Sequence, residues 1–241
     1  MDKLNLDSHI SQQFNADLEE IRNHVMAMGG LVEQQTADAV QAFVDGDSAL
    51  GRRVADDDRK VNELEIIIDE ECTRILARRQ PAATDLRLIF AIIKTITDLE
   101  RIGDEAEKIG WLATRLAESE RPPGGYSQIE NLGNRVRGQL RTALDSFVRM
   151  DPTAAVEVAR EDDKVDREYE AILRQGITFM MEDPRTIRRM LDVIWCARAL
   201  ERIGDHCKNI CEYVVYLVHG KDVRHVPVEE VEREIHGTRR E

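Results

Sequence analysis

Cysteine is scarce: four residues (Cys72, Cys196, Cys207 and Cys211) in a chain of 241 cannot make a disulfide framework, and a reduced, cytoplasmic setting is expected. Glycine and proline number 14 and 6, and aromatic residues make up only 5%. That poverty disfavours a β-sandwich and favours long amphipathic helices. The N-terminus, Met1-Asp2-Lys3-Leu4-Asn5, has no apolar segment of the secretory kind. The longest apolar runs, such as those at 89–93 and 214–218, fall far short of about 18 residues, so no membrane insertion is expected. Positive charge is also in short supply: 34 Lys and Arg against 47 Asp and Glu give a net charge of −13. A general nucleic-acid binder needs a basic surface to displace counterions, so that class is disfavoured and no nucleic-acid partner is expected. Cations, basic partners or plain solubility suit an acidic surface. Several chemical signatures are missing too: a Gly-rich phosphate loop, G-x-S-x-G, a Cys-His pairing, and the Glu-x-x-His of oxygen-activating di-iron bundles.

What is present is helical periodicity. Apolar residues make up 42% of the chain, enough for one large domain or two of about 110–120 residues. One stripe reads Leu88, Ile92, Thr95, Leu99, Ile102, Ala106, Ile109, Ala113, Leu116, and a second reads Val193, Cys196, Leu200, Ile203, Cys207, Ile210, Val214, Leu217. Both alternate steps of four and three, the spacing of a heptad seam. Cys196 and Cys207 lie on that seam, and Cys72 fits the period of Val61, Leu64, Ile68 and Ile75, so the cysteines read as core rather than as zinc ligands. Breakers at Asp45-Gly46-Asp47-Ser48, Gln80-Pro81, Pro122-Pro123-Gly124-Gly125, Asp151-Pro152 and Asp183-Pro184 divide six expected helices, near 10–44, 48–78, 83–118, 126–149, 153–181 and 185–218. Met28-Gly29-Gly30 is a candidate kink. After Gly220 the chain turns polar and loses its period, so the tail at 221–241 is expected to fray.

Leu99-Glu100-Arg101-Ile102-Gly103-Asp104 recurs letter for letter as Leu200-Glu201-Arg202-Ile203-Gly204-Asp205, and Asp58-Arg59-Lys60-Val61-Asn62 is echoed by Asp162-Asp163-Lys164-Val165-Asp166. Duplication explains the shared order and spacing better than chance. The expected fold is all-α: two tandem, pseudo-symmetric three-helix bundles spanning 1–121 and 126–220. Glu100 and Asp104, Glu201 and Asp205, Asp58 and Asn62, and Asp162 and Asp166 are each four residues apart, stacked on one helix face. Folding at Pro81 and Pro184 sets the two motifs of each half level on antiparallel helices. Crowded carboxylates repel, and a hard divalent or trivalent cation removes that repulsion. Gly103 and Gly204 each cost about 1 kcal/mol inside a helix, and their presence in both copies suggests a close approach there. The competing reading is a solvated face on which the acids pair with Arg101, Lys108, Arg202 and Lys208.

On Met28-Gly29-Gly30-Leu31-Val32-Glu33-Gln34-Gln35, Arg79-Gln80-Pro81 followed by Asp85-Leu86-Arg87, both Leu-Glu-Arg-Ile-Gly-Asp copies, Met181-Glu182-Asp183 and Cys196-Ala197-Arg198, the chain resembles the PhoU family of accessory regulators of bacterial phosphate uptake. The resemblance runs from about Phe14 to about Val226. It implies two three-helix bundles, no catalysis, and metal sites for Mg, Mn, Fe or Zn-like cations. Carried over by position, the ligands are Asp58, Glu100 and Asp104 in the first half and Asp162, Asp166, Glu201 and Asp205 in the second. Asn62 stands where the pattern wants an acid, which ranks the first site as the weaker. The implied function is negative regulation of phosphate uptake and of the phosphate-starvation response. The protein would act as a homodimeric cytoplasmic adaptor between a phosphate ABC transporter ATPase and a sensor histidine kinase. A metal-dependent phosphoester hydrolase and a metal-free helical scaffold are the alternatives.

Overall fold

The structure is a computed structural model that describes residues 3–79, 81, 83–117, 122, 125–224 and 226–237. Gln80, Pro123 and Gly124 of the expected breaks lie outside the described residues. Among the described residues there are helices and no strand. The order is α1 (Lys3–Asp45), α2 (Ser48–Arg79), α3 (Ala83–Leu116), α4 (Ser127–Arg149), α5 (Thr153–Glu182), α6 (Ile187–His219) and α7 (Val228–Gly237), with a 3-10 turn at Pro184–Thr186 before α6.

The helix ends follow from local chemistry. Gly46 takes the left-handed conformation that closes α1 (φ 69°). Asp47 then caps α2, its Oδ1 accepting from the backbone N–H of Ala49 and Leu50 at 2.9 Å each. Asp183 does the same for the short turn, accepting from Arg185 N–H at 3.0 Å. Gly220 ends α6 with φ 72°. The expected kink at Gly29-Gly30 falls inside α1, which stays helical throughout. Gly29 instead admits Leu144 of α4; a Cβ there would sit 2.7 Å from Leu144 Cδ2.

Helices α1, α2 and α3 pack on one another, as do α4, α5 and α6, and the two bundles join through α3 against α6 and α1 against α4. Both heptad stripes are buried, apart from the half-buried Leu88 at the start of the first. They lie in one continuous apolar core that crosses from bundle to bundle. Burying a Leu or Ile contributes roughly 1.5–3 kcal/mol, so these central helices carry much of the stability. All four cysteines are buried and free, and burial pushes the Cys72 thiol up to about 12, a packing role rather than a ligand role.

Polar groups are paired at the seam between bundles. His206 Nδ1 lies 2.7 Å from the buried Asp98 Oδ1, which also accepts from Asn209 at 3.2 Å. Arg202 reaches Glu105 at 3.1 Å, and Arg115 pairs with Asp192. These contacts set α3 and α6 antiparallel.

The described part of the tail expected to fray is instead helical over Val228–Gly237. α7 lies on α5, with Ile235 buried and Val228 and Val231 packed against the core, and Arg160 holds Glu232 at 2.7 Å. Its apolar residues at 228, 231 and 235 make a single short stripe, too brief for the period to register against its charged neighbours.

Within the first bundle, α2 and α3 approach closely at Gly51 and Gly110. A Cβ on Gly110 would meet the Gly51 carbonyl oxygen at 2.6 Å. Gly110→Ala gains helix propensity of about 1 kcal/mol but forces two backbones apart, and overpacking of that kind costs about 1–3 kcal/mol. A lower urea midpoint is expected. Gly30→Ala, with open space around the new Cβ, should raise it.

Candidate metal centre

The α2–α3 hairpin sets Asp58 level with Gly103. A Cβ on Gly103 would lie 2.8 Å from Asp58 Oδ1, 3.3 Å from Gln35 Oε1 and 3.4 Å from Val61 Cγ1. Glycine thus lets α3 close over this aspartate without displacing its carboxylate. Asp58 is 5% exposed. Gln35 Nε2, from α1, donates to its Oδ1 at 3.1 Å and to the Val54 carbonyl at 3.3 Å, and Asn62 Nδ2 donates to its Oδ2 at 3.0 Å. A buried carboxylate needs such partners, because leaving water costs it several kcal/mol.

Around this anchor the acids of α3 gather. Carboxylate oxygens of Asp58, Asp104 and Glu107 lie within 4.8 Å of one another. Glu100 stands one turn from Asp104 and also faces Glu65 and Asp58. Burial, and then Asp104, Glu65 and Asp58, raise its carboxyl above the usual value. Burial and then Asp58 raise Asp104. Burial followed by Asp69 and Asp104 raises Glu65.

The second half repeats the anchor. A Cβ on Gly204 would lie 3.1 Å from Gln139 Oε1, 3.2 Å from Asp162 Oδ1 and 3.4 Å from Val165 Cγ1. Gln139 Nε2 donates to Asp162 Oδ1 at 3.2 Å and to the Val158 carbonyl at 3.3 Å. Asp162, at 3% exposure, is as deeply set as Asp58. The other acids again face one another. Asp166 is raised by burial, Asp162 and Asp205, and Asp205 by burial and Asp162. Glu201 is pushed up to about 7 by burial, with Asp205 next. Cations of the chain stand near both grooves, Arg101 by Glu100 and Lys108 and Arg202 by Asp104 in the first, but in the second they bond the clustered acids directly. Lys208 Nζ lies 3.3 Å from Asp162 Oδ2, and Arg198 bonds Glu201 Oε1.

The expected site residues thus divide by half. Asp58, Asn62, Glu100 and Asp104 share the first groove, and Asp162, Asp166, Glu201 and Asp205 share the second. Of the basic residues expected on a solvated face, Lys208 meets a site acid. Lys108 and Arg202 instead bond Glu105. Sequence reasoning missed three contributors. Gln35 and Gln139 stand 104 residues apart, the same offset as Asp58 and Asp162, so the repeat could have found them. Glu107 follows Asp104 by three and continues the acidic face.

The donor set of the first groove fits a hard cation: three carboxylates and neutral amide oxygens. Gln35 Oε1 and Asn62 Oδ1 are buried without a hydrogen-bond partner among the described residues, and Gln35 itself is 6% exposed. Glu20, His24 and Glu71, between α1 and α2, form another group within ligand reach. There His24 Nδ1 lies 3.0 Å from Glu71 Oε2, an ordinary hydrogen bond. Among the described residues no helix is long and apolar enough to cross a membrane.

Comparison with known proteins agrees with this architecture. The PhoU domain model matches residues 25–112 and 129–214, one match within each bundle. A phosphate-specific transport system accessory protein PhoU homolog of Pseudomonas putida is 54% identical over 238 residues, 99% of this chain and 93% of the relative. The Escherichia coli (strain K12) protein of that system is 52% identical over 237 residues, 98% of each. The crystal structure of PhoU from Pseudomonas aeruginosa superposes with a TM-score of 0.84 at 54% identity, covering 86% of this chain and all of that one. The phosphate transport system regulatory protein PhoU from Streptococcus pneumoniae does so at 0.80 and 28% identity, covering 87% and 99%. Fold and sequence agree, and the chain belongs to the PhoU family.

Proposed function

We propose that the protein is a metal-binding negative regulator of phosphate uptake and of the phosphate-starvation response. It acts without catalysis, as a cytoplasmic homodimer that links a phosphate ABC transporter ATPase to a sensor histidine kinase. The transport half of this reading rests on relatives named as accessory or regulatory proteins of phosphate transport. The metal half rests on one observation, the convergence of Asp58, Asp104 and Glu107 within 4.8 Å beside buried amide oxygens that lack partners among the described residues.

Asp58, Asp104 and Glu107 would hold the ion, with Glu100 beside them. The ion supplies positive charge to a groove whose carboxyls are raised by burial and mutual repulsion. Gln35 and Asn62 orient Asp58, and Gly103 lets α3 approach. Clamping α2 to α3 stiffens one face of the bundle. Such a clamp controls signalling only where partner states differ in affinity for the stiffened face.

Three outcomes test this. Replacing Asp58 and Asp104 together with Asn should lower the bound metal, read by elemental analysis of purified protein; unchanged metal content would refute the assignment. Deleting the gene should raise phosphate-starvation transcripts in high phosphate, and pull-down of kinase and ATPase should weaken with chelator. A silent deletion would count against the regulatory role.

A pH effect follows from the raised carboxyls. Glu201 and Glu212 are both pushed up to about 7 from 4.5, chiefly by burial. Between those values the folded chain holds more protons than the unfolded one, so stability falls as pH rises through the window. The metal-free protein should melt at a higher temperature at pH 5.5 than at pH 7.5. Glu201→Gln should flatten the slope, and added Mn²⁺ should raise the melting temperature more at pH 7.5 than at pH 5.5. A slope of opposite sign would show that the acid groups are not what responds.

A further inference from the structure

Superposing the two Leu-Glu-Arg-Ile-Gly-Asp motifs in sequence sets each residue of α3 against the residue of α6 that lies 101 positions later. Glu100 matches Glu201, Gly103 matches Gly204 and Asp104 matches Asp205. Three residues on, the correspondence inverts in charge: Glu107 matches Lys208. Glu107 is the third carboxylate of the cluster with Asp58 and Asp104. Lys208 reaches the equivalent buried aspartate, Asp162, at 3.3 Å. One turn before the motif, Thr97 matches Arg198, and Arg198 bonds Glu201 Oε1. The second groove therefore carries two cationic side chains in seats where the first has a carboxylate and a hydroxyl.

We infer that the two grooves are neutralised by different means: the first takes a divalent cation from solution, and Lys208, with Arg198, is the resident cation of the second. The chain accordingly binds one tight divalent ion, not two. This inference rests on the cation reading of the first groove and gives its stoichiometry and location.

Three observations support it beyond the presence of acids. The anchor is the same in both halves, with a buried Gln donating to a buried Asp beneath a Gly, so the difference lies in the rim and not in the scaffold. Among the described residues Asp58 is hydrogen-bonded by neutral amides alone, and Gln35 Oε1 beside it, like Gln139 Oε1 in the second groove, is buried without a partner, so the two anchors are equally open and the rim decides. In the second, an ammonium stands on the outer oxygen of Asp162, and a divalent ion would have to expel it. This reverses the ranking expected from Asn62. Losing one charge at Asn62 is outweighed by Glu107, and keeping Asp166 is offset by Lys208 and Arg198.

Calorimetric titration of the metal-stripped full chain with Mn²⁺ tests the inference, with bound metal counted after desalting and folding checked by circular dichroism. Wild type should take up one equivalent tightly, any second being at least about tenfold weaker. Lys208→Glu should open a second equivalent within about tenfold of the first. Glu107→Lys should abolish the tight equivalent, and the double exchange should restore one. Lys208→Gln, which removes the charge without adding a ligand, should strengthen the second equivalent less than Lys208→Glu does, and it serves if the carboxylate variant fails to fold. Two matched equivalents in wild type, or a stoichiometry that ignores position 208, would overturn the inference while leaving metal binding intact. No uptake by wild type or by either variant at 208 would overturn the cation reading itself.

Discussion

The contact between a helix-interior glycine and a buried aspartate sets the geometry of each half. Gly103 and Gly204 permit α3 and α6 to close over Asp58 and Asp162 to distances that a methyl group would occupy. The aspartates in turn need donors, because a carboxylate removed from water and left unbonded destabilises the fold by several kcal/mol. Gln35 and Gln139 supply them from the remaining helix. One residue from each of three helices thus meets at a single level. That level fixes the register of the hairpin, and the register fixes which acids share a groove.

Everything above this anchor is electrostatic. The acids face one another because the anchor places them so, and burial then raises their carboxyls. A chain with a net charge of −13 gains little from its global field at such a spot, so relief must be local. Two local arrangements are visible: carboxylates beside neutral amides in the first groove, and a lysine set against an aspartate in the second. Burial alone would lower Lys208, but Asp162, Glu212 and Asp205 more than reverse this and hold its ammonium above the usual lysine range.

Much of this was legible in the sequence, for identifiable reasons. The stripes from Leu88 to Leu116 and from Val193 to Leu217 are long enough for the heptad period to declare itself. Duplication converted one weak acid pair into a pattern. The hairpin centres at Pro81 and Pro184 gave the levels. What escaped was of two kinds. Gln35 and Gln139 lie on helices with no carboxylate motif of their own, so only the offset between halves marks them. Glu107 and Lys208 lie outside the six-letter repeat, where the copies diverge, and divergence is invisible to a search for identity. The α7 helix escaped because ten residues hold one apolar stripe, and its burial depends on α5 rather than on local period. The Asp98–His206 pair escaped because it joins helices from different halves, which no intra-half register relates.

The duplicated design also explains how the two grooves could diverge without unfolding the protein. The anchor residues are buried, each against two neighbours, and changing one opens a cavity or strands a polar group. The seat at 107 and 208 is different. The Lys208 side chain is 39% exposed, and its carbon stem can lie along the helix whatever charge it carries at the tip. Exchange of glutamate for lysine there costs the packing little yet changes the sign of the charge facing the buried aspartate. The repeat keeps the residues of the anchor, and among its departures the exchange at 107 and 208 is the one that sets an ammonium in place of a carboxylate beside the buried aspartate.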